Sequence, residues 1–388
     1  MPAKNTVDFH KEKKKATARK VYRKLRIPGI IVAVLCIFAV ILACEGEVRR
    51  SNIMDSVYSV PKTIGESKGY PYNEDELSLD KLSVIGDKPL IVGSGGVVVL
   101  SQDADKLNEL HLDWGDTKVV TFNGRAFVYS NTQGNAYLLS RTGILAEFAE
   151  DSPIVTASVG TNGTVALSCS DDSTQSVVKV YTPRHKLDFE WQCSKEYVSS
   201  LALSDSGKKV LVSAVGVKNA EIYSRILMFR TNRTEADFDI KLEGTAILKV
   251  FCTSHNKITA VGDNRTVTLN RKGEIITEIK YADDALYNVD CDAEGNVLLC
   301  YKEFGGAKVN VTYIPSYGKA YKEFELDYMP ASADIKGKKL AFSNGSTVDI
   351  LSPAGSKRRS YECEHNVGTV HISNTGIYTL ENGSIYSY

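Results

Sequence analysis

The sequence predicts an all-β fold: a β-propeller of four-stranded blades behind one N-terminal transmembrane helix. Three observations predict it. Short β-rich runs separated by Gly/Asn turns fill the chain from about residue 79 to its end. The same turn recurs with a period near 40 residues. One uncharged apolar stretch follows a basic run near the start.

The basic run is residues 1–26. It carries ten Lys/Arg against Asp8 and Glu12, a net charge of +8. The other residues hold 37 basic and 45 acidic side chains, so the zero net charge of the 388-residue chain hides a body at −8. A mildly acidic body argues against nucleic acid as a partner. With 43% hydrophobic and 24% charged residues, the composition is that of a folded chain and excludes a disordered one.

Ile27–Ala43 has no charged side chain. As a helix it spans about 26 Å, close to the ~30 Å of a bilayer core. Pro28 and Gly29 fall in its first turn, where proline costs little. The positive-inside rule keeps residues 1–26 cytoplasmic as a basic tail and places everything beyond the 27–44 segment outside. The expected localisation is therefore the cell membrane, single-pass, with an extracytoplasmic body. A cleavable signal peptide fits less well, because the n-region is long and no A-x-A site follows. Ile41-Leu42-Ala43-Cys44 is a loose lipoprotein box, which makes lipidation at Cys44 the sharper rival.

Residues 45–78 read as a linker and 79–388 as the propeller. Its β-rich runs favour Val, Ile, Tyr and Thr, which suit a pleated, half-buried surface. In LALSDSGKKVLVS (201–213), VDCDAEGNVLLC (289–300) and VHISNTGIYTL (370–380), a strand ends in a polar Gly/Asn turn and a second strand follows. First strands start near residues 81, 117, 153, 197, 245, 285, 329 and 367. Four strands at this period are the signature of a propeller, and eight starts give eight blades. Seven is the count if the run near 81–86 is only a closing strand. The last unit, 367–388, has room for three strands, so the linker is expected to supply its fourth and close the ring.

In layout and in its S-x-x-G-x-x-hydrophobic turns, the chain resembles the membrane-anchored WD40- or quinoprotein-like propellers of Gram-positive bacteria, in particular a family of unknown function. The resemblance covers the tail, the span and nearly all of the body. It implies a propeller and no activity.

Motifs for chemistry are sparse. Neither a G-x-x-x-x-G-K-[ST] loop nor H-E-x-x-H occurs. Of six scattered histidines, only His255, His365 and His371 have a chance to meet in a closed ring. Asp290-Cys291-Asp292-Ala293-Glu294-Gly295 has the opening pattern of a calcium loop, but Leu298 stands where the downstream carboxylate belongs, so a hairpin turn is the reading. Trp114 and Trp191 are the two tryptophans, against the repeated docking Trp of quinone-binding propellers. Cys291 and Cys300 flank one turn, and export permits disulfides. No catalytic, cofactor-binding or metal residue is assigned, and no cofactor is expected. The expected function is a non-enzymatic scaffold, sensor or assembly factor at the cell envelope, binding envelope proteins or cell-wall polymer through propeller loops. The alternative is a polysaccharide-binding protein or wall-active enzyme using the central channel.

Overall fold

The computed structural model describes Val32, residues 69–74, and residues 79–388 apart from 161, 172, 254–256, 283, 284, 303, 304 and 307. The tail, the 27–44 segment beyond Val32, Cys44 and most of the linker lie outside the described residues. Among the described residues, no helix is long and apolar enough to cross a membrane.

The body is all-β, with eight antiparallel sheets. Seven have four strands and the last has three. Their first strands are Leu79–Ile85, Thr117–Phe122, Ile154–Val159, Tyr197–Leu203, Ile247–Cys252, Leu286–Cys291, Ala333–Lys336 and Val367–Ile372. Each sheet is a simple meander in which every strand hydrogen-bonds the next. First strands of neighbouring blades approach one another around the ring, and Val367–Ile372 meets Leu79–Ile85 to close it. Leu79–Ile85 pairs with Lys88–Gly93 as the first strand of a full sheet, which fixes the count at eight.

The core is divided among the blade interfaces. One apolar cluster holds Ala166, Val180, Phe189, Val212 and Phe229, joining the third and fourth blades. The next holds Leu211, Ile226, Ile247 and Val267, joining the fourth and fifth. Inner strands sandwiched between two neighbours are buried on both faces, as in Arg125–Ser130 and Val297–Tyr301. This is why the second strands read as continuous apolar runs and lack alternation. Fourth strands lie on the rim and are polar, as in Lys357–Glu362.

The last blade borrows from the linker. Tyr72 and Ile385 form an antiparallel bridge, with Tyr72 N donating to Ile385 O at 2.8 Å and Ile385 N to Tyr72 O at 2.9 Å. The Tyr70 ring lies 5.8 Å from that of Tyr378. Tyr72, Leu82, Ile91, Tyr378 and Ile385 share the apolar cluster between the last and first blades.

A glycine sets how closely the turns nest. Gly295 has φ +85°, and a Cβ there would sit 2.5 Å from the Thr253 methyl of the preceding blade. The turn that resembled a calcium loop therefore needs glycine to pack against its neighbour.

Candidate functional site

A first strand is paired on one side only, so its other edge leaves amides without a ladder partner. The sequence supplies those partners from the preceding blade. Ser158 Oγ accepts from Leu203 N at 3.2 Å, and Ser200 Oγ from Val250 N at 3.1 Å. Asp290 Oδ2 accepts from Ile335 N at 3.2 Å, and Asp334 Oδ2 from Ile372 N at 2.6 Å. A side chain of one first strand thus caps the edge of the next.

In the last three blades these caps are ionisable and form one chain. Asp290 hydrogen-bonds Asp334. Asp334 Oδ1 lies 3.0 Å from His371 Nδ1, and His371 Nε2 lies 2.9 Å from the Leu82 carbonyl of the first blade. Burial, together with the adjacent Asp334, pushes the Asp290 carboxyl up. Burial opposes charge on His371, but the Asp334 charge and hydrogen bond outweigh it and raise its proton affinity. The contact with Asp334 thus favours the protonated His371 ring.

These residues line one mouth of the central channel. A cavity of about 580 Å³ opens there among Asp87, Arg141, Asp290, Asp292, Asp334 and His371. A second cavity of about 370 Å³ continues along the first strands of the second to sixth blades, past Phe122, Ser158, Leu248 and Phe251. Ionisable groups gather in the first cavity, and the second mixes apolar side chains with Ser158, Ser199 and Ser200.

A family model described as a family of unknown function (DUF5711) matches residues 68–385. The chain belongs to that family. No curated protein matches the sequence. Among solved structures, Sqt1 of Saccharomyces cerevisiae is similar over 82% of this chain and 98% of its own, at 9% identity and TM-score 0.59. BamB of Moraxella catarrhalis covers 82% and 98%, at 11% identity and TM-score 0.54. Apo AztD of Citrobacter koseri covers 75% and 87%, at 13% identity and TM-score 0.52. At such identities the likeness shows the fold alone.

In this family member the residues singled out by sequence separate into different roles. His255 lies outside the described residues. His365 sits on the connection into the last blade, its N–H on Glu381 and its ring edge-on to Tyr386. His371 alone of the three is shown joining the carboxylate chain. Trp114 stacks on Tyr137, and Trp191 packs on Phe229 in another cluster. Cys291 pairs across its hairpin with Val297 and Cys300 with Asn288, and both thiols are free.

The Asp290–Glu294 loop is a turn held by its own carboxylate. Asp292 Oδ1 accepts from Glu294 N and Asn296 N, and Oδ2 accepts from Asn296 Nδ2 and from Gly337 N at 2.7 Å. Among the described residues, no group of three or more His, Cys, Asp or Glu is placed to hold a metal ion. A chelator should therefore leave the melting temperature of the full chain in place. A fall of many degrees would mean that a cation is part of the fold, with Asp290, Asp292 and Glu294 the residues to mutate first.

Sequence reasoning did not single out Asp334. Ser158, Asp290 and His371 are each the penultimate residue of a first strand, but Asp334 is the second residue of Ala333–Lys336, so no shared strand position marked it.

Proposed function

We propose that the protein is a non-enzymatic interaction scaffold, tethered by one span and acting outside the cytoplasm at the cell envelope. The basic tail and the uncharged 27–43 stretch support the tether. The observation that carries the scaffold reading is a projecting hairpin in the fourth blade, Lys209–Lys218 with Glu221–Arg230. Its ten-residue strands outrun their neighbours. The first strand pairs only as far as Val215 and the fourth only as far as Tyr223.

The two sides of this hairpin differ. Gly216, Tyr223 and Arg225 face a polar network, in which Glu196 accepts from the Tyr223 hydroxyl at 2.9 Å and from Arg225 at 3.3 Å. Val217 and Ile222, opposite each other in the ladder, are 67% and 43% exposed. Tyr197 and Leu248, at the starts of the fourth and fifth first strands, are also exposed. The polar side fixes the hairpin, and the apolar side is presented for a protein partner. At the channel mouth, by contrast, the carboxylates are occupied by one another and by backbone amides.

Two measurements test this. Protease added to intact protoplasts should remove the body and leave a small membrane-bound fragment; full protection would refute the tethered topology. A photo-crosslinker at Val217 should give one discrete protein adduct that Ile222→Asp abolishes. A crosslinker at exposed Ile275 on the rim of the fifth blade should give none. Equal adducts from both sites would refute docking at the hairpin. The mouth cavity favours a second reading, a wall-polymer ligand or wall-active enzyme in the channel. Saturable binding of wall oligosaccharide, lost in Asp290→Asn, would establish it.

A further inference from the structure

His371 occupies an unusual position in the ring. It belongs to the last blade, its Nδ1 faces the seventh blade, and its Nε2 faces the first. Both facing atoms are oxygens, one of a carboxylate and one of a backbone carbonyl. A carbonyl only accepts, so Nε2 must carry a proton. An ionised carboxylate likewise only accepts, so against it Nδ1 carries one too. Neutral imidazole has a single N–H and cannot serve both.

We propose that the junction between the last and first blades is a proton-operated clasp. The doubly protonated His371 ring ties Val367–Ile372 to both Leu79–Ile85 and Ala333–Lys336. Loss of one proton turns a lone pair toward one of the two oxygens and loosens that tie. The released edge is the wall of the channel mouth, so the clasp sets how open that mouth is.

The surroundings favour the charged ring. Asp334 comes from the seventh blade and Asp290 from the sixth. Asp87 of the first blade accepts from Asn374 N at 3.2 Å and pairs with Lys336 at 3.1 Å, which adds a second tie across the same junction. Lys336 also lines this mouth, and Asp87 engages it. Tyr378 lies opposite His371 in its own sheet and stays protonated, its hydroxyl pushed upward by burial. The sign of the pH effect follows. The folded ring holds its proton more tightly than free histidine, so its contribution is complete below the ordinary histidine range. It is lost as pH rises through the folded value.

The test is hydrogen–deuterium exchange on the full chain between pH 7 and pH 10. Protection of Leu79–Ile85 and Val367–Ile372 is read against Tyr197–Leu203 and Ile247–Cys252 in the same molecule, which cancels the intrinsic pH dependence of exchange. The clasp predicts a loss of tenfold or more at the junction relative to the reference strands. Asp290→Asn, which removes the other titrating group, should keep that alkaline transition. His371→Gln should show weak junction protection with no transition. Parallel behaviour of junction and reference strands in the wild type would overturn the proposal even if no variant folds. A transition that persists unchanged in His371→Gln would overturn it as well.

Discussion

Asp334→Ala should destabilise the body by about 3–5 kcal/mol, the cost of removing one partner from a buried ion pair. The substitution strips three groups at once. His371 Nδ1 loses its carboxylate, Ile372 N loses its acceptor, and Asp290 loses the group it hydrogen-bonds. Without Asp334, burial favours the neutral His371 ring, and its Nδ1 and the orphaned amide are left without that partner in a largely enclosed place. Asp334→Asn keeps an oxygen for one of the two donors but no charge, so it should fall between alanine and wild type. Denaturant midpoints at pH 7 read the series. Equal stability of wild type and alanine variant would mean that the carboxylate is decorative.

The second large effect is expected at the seam where the linker meets the last sheet. Replacing Tyr70 and Tyr72 together with alanine should cost about 3–5 kcal/mol, the range for losing a buried aromatic. Tyr72 is 7% exposed and covers Ile385, which is fully buried. The bridge itself is backbone, so alanine retains its geometry but loses the apolar cover that keeps water from it. Deleting 45–78 removes the bridge as well and should cost more. Truncation after Glu381, which removes Ser384–Ser387, should do similar damage from the other side. An unchanged melting temperature in the deletion would show that the ring closes without the linker.

Much of the architecture was legible because a propeller repeats. The first strands at 117, 197 and 367 begin where the turn phase placed them, and the others fall within a few residues. The turn chemistry of SDSG and DAEG is local, so sequence alone reveals it. The carboxylate chain was not legible for the opposite reason. Asp290, Asp334 and His371 meet only through the lateral alignment of three blades, and about 40 residues separate each from the next. Asp290 and Asp292 invited a calcium reading because carboxylates at alternate positions look alike whether they face a cation or a neighbour's amide. The structure turns one toward Asp334 and gives the other to Asn296 and Gly337. The hairpin's amphipathic tip was equally hidden. Val217 and Ile222 read as ordinary strand residues until the pairing showed that the flanking strands stop short of them.

The bridge between Tyr72 and Ile385 also governs how the molecule is made. Those two residues are more than three hundred positions apart, so the contact that completes the ring becomes available only after the other seven blades have been made. Until then the face of the first blade that will receive Tyr378 and Ile385 is bare apolar surface, exposed while the remaining blades emerge. Contacts of such sequence separation form slowly, and incomplete sheets are where chains stick to one another. The period of greatest hazard for this protein therefore falls between the emergence of its first blade and the arrival of its final strand. A circular permutant opened at a turn such as 204–208 would move that hazard to a different blade without altering the finished ring.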